Sequence, residues 1–83
     1  MSFNLHELVT VDLRTLCRGC VKKFHVVNNE TWLTVALVTY DKSNKPAIRL
    51  FYTPERLVNK FNNNNDIIPY DLRALLRQAQ YYV

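Results

Sequence analysis

The chain has 83 residues, of which 48% are hydrophobic and 22% are charged. This composition excludes a disordered polypeptide, and the length excludes two separately stable cores, so we expect a single α+β domain over residues 1–83. The formal net charge of +4, from 11 Lys and Arg against 7 Asp and Glu, is too mild for a histone-like polycation.

The sequence also bears on where the protein works. It contains no apolar run of the ~20 residues that cross a bilayer, and its first residues lack the basic-then-apolar order of a secretory signal. We expect an intracellular protein, cytoplasmic or nuclear, with no membrane partner. The two cysteines, Cys17 and Cys20, fit a reducing compartment better than a disulfide scaffold. A compact chain of this kind would suit an accessory protein of a virus or mobile element.

The first third of the chain predicts helices. Asn4 followed by Glu7 is a weak capping-box pattern, which favours one or two helical turns over residues 4–9. After Thr10, apolar residues recur at the spacing of one helix face, which predicts an amphipathic helix over residues 11–25. These residues are Leu13, Leu16, Cys17, Cys20, Val21 and Phe24.

The middle of the chain predicts an antiparallel hairpin. Asn28 and Asn29 favour a tight turn, and the following run, 31–40, is apolar at both alternating sets of positions, as in a strand covered on two sides. Residues 41–46 predict a second turn, and residues 47–52 a returning strand.

The last third predicts two more helices. Thr53, Pro54 and Glu55 have the pattern of a helix start, and this short helix is expected to end at Asn62. Four asparagines, 62–65, predict a loop, and a final helix follows Pro69 with an apolar stripe of Leu72, Leu75, Leu76, Ala79 and Val83. The predicted order is an N-terminal helix, an antiparallel β-hairpin or three-stranded sheet, then two C-terminal helices.

One motif suggests metal chemistry. Cys17, Cys20 and His25 have the C-x2-C-x4-H spacing, which resembles the first three ligands of a retroviral-type zinc knuckle. The family's fourth ligand would fall at Glu30, where a cysteine is expected, so His6 or Glu30 would have to complete the site. Both cysteines also lie on the apolar arc of the predicted helix, where free Cys packs as a small hydrophobe. We therefore expect no bound metal and keep a zinc-supported module as the third hypothesis.

The composition gives little support to catalysis. His6 and His25 are the only histidines, and Gly19 is the only glycine, so the sequence contains no Gly-rich phosphate loop. The seven acidic residues are scattered and do not form the oxygen-rich clusters that hold Mg²⁺ or Ca²⁺. We predict a protein that is not an enzyme and uses no cofactor.

Basic and tyrosine residues at helical spacing supply the candidate binding site. They form three groups, one in each predicted helix, in which cationic side chains recur every four residues, with two tyrosines flanking the last pair. The predicted binding residues are Arg14, Arg18, Lys22, Arg56, Lys60, Tyr70, Arg73, Arg77 and Tyr81.

Arg and Tyr are enriched in the hot spots of protein–protein interfaces. Arg side chains also bind phosphates, and Tyr rings stack on nucleic-acid bases. The leading hypothesis is a small regulator, inhibitor or assembly subunit that binds a protein partner through these strips and through exposed aromatic residues. The alternative is a nucleic-acid-binding protein that uses the same strips. Aromatic residues in excess of what one small core buries also predict a homodimer. They include Trp32, Phe51, Tyr52, Tyr81 and Tyr82.

Overall fold

The computed structural model describes residues 3–61 and 69–82. Its main element is one antiparallel sheet of five strands in the order β4-β3-β2-β1-β5. The strands are β1 (Leu8–Asp12), β2 (Leu16–Val27), β3 (Glu30–Tyr40), β4 (Pro46–Pro54) and β5 (Val58–Lys60). A 3-10 turn, Glu55–Leu57, precedes β5, and one α-helix, α1 (Tyr70–Gln80), follows it. The first four strands form a meander, and β5 returns to pair with β1.

The predicted fold, an N-terminal helix, a β-hairpin or three-stranded sheet and two C-terminal helices, is therefore wrong, because the described residues form a five-stranded sheet and one α-helix. Residues 4–9 make a turn and enter β1, residues 11–25 lie largely in β2, and the segment after Pro54 forms only a 3-10 turn. The predicted strands over 31–40 and 47–52 correspond to β3 and β4, and the predicted final helix corresponds to α1. The predicted loop at 62–65 and the predicted helix position Val83 lie outside the described residues.

The apolar pattern of β2 has a different origin from the helical one. Cys17 and Val21 belong to the core on one face of the sheet, and Cys20 belongs to the core on the opposite face. A β-bulge at Lys22 then shifts the register with β3 between Val21 and Lys23, so the alternation of inward and outward residues changes phase. Because apolar residues of β2 are buried on both faces of the sheet and the alternation changes phase at the bulge, their spacing in the sequence resembles that of a helix.

The sheet curls strongly. On a flat sheet the two edge strands, β4 and β5, would lie four strand spacings apart, about 19 Å. Only the 3-10 turn separates Pro54, the last residue of β4, from Val58, the first of β5, and so short a segment spans at most ~14 Å even when extended. The sheet must therefore bend toward an incomplete barrel.

The concave side of the curled sheet, which we call the inner face, holds the largest core. Nine buried hydrophobic residues from four of the strands and the N-terminal segment form it, and Phe24 and Phe51 pack against them. The buried residues are Phe3, Val9, Val11, Cys17, Val21, Leu33, Val35, Leu37 and Val58.

Gly19 lies in the middle of β2, opposite Val9 on one side and Leu37 on the other. A Cβ atom at this position would lie 2.8 Å from the Cα of Leu37 and 2.8 Å from the carbonyl carbon of Ala36. Real Cβ atoms do not approach backbone this closely, so only glycine permits the packing of β2 against β3 here.

The convex side, which we call the helix face, is covered by α1. Leu72 and Leu76 pack with Val38, and Ala79 packs with Cys20 and Ala36. Because these three helix residues recur at i, i+4 and i+7, they form one apolar stripe directed at the sheet. The described residues contain no helix long and apolar enough to cross a membrane.

Two polar contacts hold the C-terminal end of α1. The Lys22 ammonium, in the bulge of β2, donates a hydrogen bond to the carbonyl oxygen of Gln80 at 2.6 Å. The Gln80 side-chain amide donates to the carbonyl oxygen of His6 at 3.1 Å. A cation at this end of a helix is stabilised by the unpaired carbonyl groups there, so the bulge that alters the register of β2 also anchors α1.

The turns follow local side-chain chemistry. Asn28 and Asn29 have φ values of 51° and 65°, the left-handed conformation of a two-residue hairpin turn, which confirms the predicted turn. In the next turn the Asp41 carboxylate accepts hydrogen bonds from the backbone N–H groups of Ser43 and Lys45 at 2.8 and 2.9 Å. Asparagine and aspartate thus supply the conformations that both hairpins need.

We predict that Gly19→Ala lowers the free energy of unfolding by at least ~3 kcal/mol, because the added methyl group meets backbone atoms that cannot rotate away. This loss equals or exceeds the largest losses usually seen when an extra methyl group is forced into a packed core. Urea denaturation measures this change. Asn59→Ala, at an exposed position of β5, is the matched control and should change stability by less than ~0.5 kcal/mol. Equal urea midpoints for Gly19→Ala and wild type would contradict the close approach.

Candidate functional site

A cluster of aromatic rings lies on the helix face where α1 leaves the sheet uncovered. The Trp32 and Tyr52 rings are stacked, with centroids 4.9 Å apart and an interplanar angle of 27°. The His25 ring packs edge-on against Tyr52 at 5.1 Å, and its Nε2 shares a hydrogen bond of 2.8 Å with the Thr34 hydroxyl. Each ring of the cluster therefore contacts at least one other ring.

The strand register creates this cluster. His25 of β2 is opposite Trp32 of β3, and Tyr52 of β4 is opposite Thr34 of β3. Trp32 and Tyr52 are therefore diagonal neighbours on one face, close enough for long aromatic side chains to meet. His25 reaches the same face because the bulge at Lys22 has already shifted the phase of β2.

Two further side chains extend the cluster toward α1. Leu50 precedes Tyr52 by two residues on the same face of β4, and Tyr82, just beyond α1, lines a shallow groove with Leu50 and Ile48. Tyr52, Leu50 and Tyr82 are 53%, 51% and 39% exposed. We call His25, Trp32, Leu50, Tyr52 and Tyr82 the aromatic surface. Contiguous apolar side chains with this much exposure are typical of a binding surface.

The outer side of α1 brings together part of the predicted site. Tyr70, Arg73 and Arg77 lie around Ala74 on one exposed surface, as their helical spacing predicts. Tyr81 follows the end of the helix and lies instead beside His6 and Gln80.

The predicted ridge of Arg14, Arg18 and Lys22 does not exist, because these residues do not lie on a helix. Arg14 is exposed in the turn between β1 and β2, and Arg18 is half-buried in β2. Both line a groove near Leu72 in the first turn of α1, whereas Lys22 contacts the opposite end of α1. The three cations are therefore dispersed along the length of α1.

Arg56 and Lys60, predicted to form a helical pair, lie in the 3-10 turn and in β5. Arg56 forms an ion pair with Glu30. The Lys60 ammonium lies 3.4 Å from the Glu7 carboxylate and 5.3 Å from the centroid of the Phe3 ring. Both cations lie in exposed ion pairs, so a phosphate bound at either one would compete with a neighbouring carboxylate.

The metal-ligand candidates are separated by the sheet. Cys17 packs in the inner-face core and Cys20 packs under α1, so the two thiols lie on opposite faces and cannot reach one ion. His25 contacts Tyr52 and Thr34, and His6 lies in the N-terminal turn. Within residues 3–61 and 69–82, no three His, Cys, Asp or Glu side chains come together in a group able to hold a metal ion.

Comparisons of the chain with models of protein families, with curated proteins and with solved structures gave no match. The predicted binding residues include no member of the aromatic surface, although Trp32, Tyr52 and Tyr82 stand out in the sequence as surplus aromatic residues. The register of three strands brings Trp32 and Tyr52 together with His25 and Leu50, and the packing of α1 on the sheet adds Tyr82.

Cys20 offers a test of the packing beneath α1. Burial raises the pKa of its thiol above the ordinary value of 9.0, and the opposing effect of the nearby Lys22 charge is smaller. The folded protein therefore holds this proton to higher pH than the unfolded chain does. The resulting stabilisation of the folded state is fully present below the thiol pKa of the unfolded chain, and it is lost as the pH rises through the thiol pKa of the folded protein.

We predict that the wild type loses stability more steeply than Cys20→Ala as the pH rises above 9.0, the ordinary thiol pKa, because only the wild type must ionise a buried thiol. Chemical denaturation at a series of pH values measures the difference. The difference between the two profiles isolates the contribution of the Cys20 thiol and its surroundings. Parallel profiles for the two proteins would mean that Cys20 is not shielded from water.

Proposed function

We propose that this protein is a non-catalytic interaction module that binds a partner protein through the aromatic surface, with the outer side of α1 as a secondary contact. The observation that supports this function best is the stacked Trp32–Tyr52 pair, in which Tyr52 is 53% exposed and Trp32 is partly buried against it. Rings fixed before binding lose little side-chain entropy when a partner covers them. Trp and Tyr are also among the residues that dominate hot spots.

The chemistry around the rings favours a protein partner. Trp32 and Tyr52 cover part of each other's faces, so fewer ring faces are open for stacking on bases. Leu50 and Tyr82 continue the surface with apolar area, which suits the apolar side chains of a protein. Of the cations near His25 in β2, Lys22 is engaged by the end of α1, whereas Lys23 is exposed opposite Thr34 and could pair with a single acidic group of a partner.

Nucleic-acid binding is the second candidate. It is favoured by Arg73 and Arg77, which lie exposed beside Tyr70 on the outer side of α1, and by the net charge of +4. Guanidinium groups beside an aromatic ring suit phosphates and bases.

We predict that Trp32→Ala weakens binding to a partner isolated after nuclease treatment by at least ~2 kcal/mol, about 30-fold, as expected for a central hot-spot aromatic. Titration by calorimetry measures the loss, and Trp32→Phe, which keeps a ring, should recover part of the affinity. Tyr81→Ala, which removes a tyrosine that is 80% exposed outside the aromatic surface, is the control. A large loss for Tyr81→Ala with none for Trp32→Ala would contradict the proposal.

The salt dependence of binding separates the two candidates. About four phosphate contacts on duplex DNA would give a logarithmic slope near −3.6, and Arg73→Ala with Arg77→Ala would reduce that slope by about 1.8. Contacts to a protein through apolar rings should give a much flatter slope, which the same double change leaves nearly unaltered. We expect the flat slope; tight, salt-sensitive binding to a duplex, with quenching of Trp32 fluorescence, would favour the nucleic-acid function instead.

A further inference from the structure

The outer edge of β4 is the longest free edge of the sheet. β4 has nine residues and ends the strand order on one side, whereas β5, at the other edge, has three. In the part of the chain that the structure describes, only β3 pairs with β4. A long edge strand presents a row of backbone groups that can pair with another chain.

The direction of those groups follows from the neighbouring turn. The Asp41 N–H donates a hydrogen bond to the carbonyl oxygen of Lys45 at 3.1 Å, so the backbone of Lys45 points toward β3. Backbone groups alternate in direction along an antiparallel strand, and the register of β3 with β4 has no irregularity. Arg49 and Phe51 therefore point their backbone groups toward β3 as well.

The intervening residues, Ile48, Leu50 and Tyr52, consequently point their N–H and C=O groups away from the sheet. Pro46 and Pro54 have the same parity but carry no N–H. Each proline lies four residues from Leu50 in the sequence. The edge that can form hydrogen bonds is thus centred on Leu50 and bounded symmetrically by proline.

This edge is complementary to itself. When two copies of β4 pair antiparallel about Leu50, each Leu50 lies opposite its twin and each Ile48 lies opposite Tyr52. These are hydrogen-bonded pairs, each of which exchanges two N–H···O bonds. On the other face each Arg49 lies opposite the ring of Phe51, a favourable pairing for a cation.

Electrostatics permits the same arrangement. Arg49 is the only charged residue in the segment Pro46–Pro54, and its twin lies diagonally across the pair at ~7 to 8 Å. This separation is about one Debye length at physiological ionic strength, so salt reduces the repulsion between the two guanidinium groups without removing it. No like charges lie directly opposite each other.

We propose that β4 is a homodimer interface in which a second copy of this chain pairs with the edge about a two-fold axis at Leu50. The sheets of the two copies become continuous, and the half-exposed Leu50 and Tyr52 gain apolar neighbours across the axis. The two aromatic surfaces then lie side by side, one from each copy. The dimer does not depend on the proposed partner and can be tested without it.

The oligomeric state tests the interface directly. Light scattering at micromolar concentration should show a dimer for the wild type. Leu50→Lys should weaken it at least ~10-fold, because it places two ammonium groups directly opposite each other. Asn59→Lys makes the same charge change at an exposed position of β5 and should leave the dimer intact.

A backbone variant separates pairing from side-chain effects. Leu50→Pro removes an outward N–H and leaves the hydrogen bonds between β3 and β4 in place, so it should yield a folded monomer. The circular dichroism of all three variants checks that they fold. A dimer that survives both changes at Leu50 would overturn the proposal.

Amide hydrogen exchange gives a second, independent readout. The N–H groups of Ile48, Leu50 and Tyr52 should gain protection as the protein concentration rises, whereas those of Arg49 and Phe51 should be protected at all concentrations. The proposed interface would be overturned by a monomer at millimolar concentration or by a dimer in which amide protection does not alternate along β4. It would also be overturned by an assembly larger than a dimer that Asn59→Lys disrupts.

Discussion

At Gly19 the backbone of β2 approaches β3 more closely than any side chain would allow, in the middle of the strand that contributes to both cores of the curved sheet. The curvature lets β5 reach β1 across the short 3-10 turn and places Val58 in the same core as the residues of β3. It also divides the apolar residues between a concave and a convex side. The inner face closes on itself, and the convex face needs α1 as a cover.

The β-bulge at Lys22 is the second structural feature on which the aromatic surface depends. By adding a residue to β2 it turns His25 toward the helix face, where the ring meets Tyr52. The same bulge presents the Lys22 ammonium to the carbonyl oxygen of Gln80 at the end of α1. The aromatic surface occupies the part of the sheet that the helix leaves uncovered, so one inserted residue contributes a ring to the site and an anchor to the helix beside it.

The parts of the fold that sequence reasoning finds are those in which local chemistry and tertiary structure agree. The Asn28–Asn29 turn and α1 carry strong local signals, and β3 is recognisable because both of its faces are apolar. β2 is not recognisable, since two-sided burial and a bulge erase the period-2 pattern that identifies a strand. The tyrosine and arginine strip on α1 follows from helical spacing, whereas the aromatic surface requires a strand register that local patterns leave undetermined.

The anchoring of α1 also bears on the order in which the chain folds. An isolated helix of eleven residues is marginal in water, and the groups that hold α1, at His6, Cys20 and Lys22, come from the opposite end of the sequence. These contacts have high sequence separation, so they form only after the sheet exists. During synthesis the convex face, with Cys20 and Ala36, remains open to water until α1 has left the ribosome.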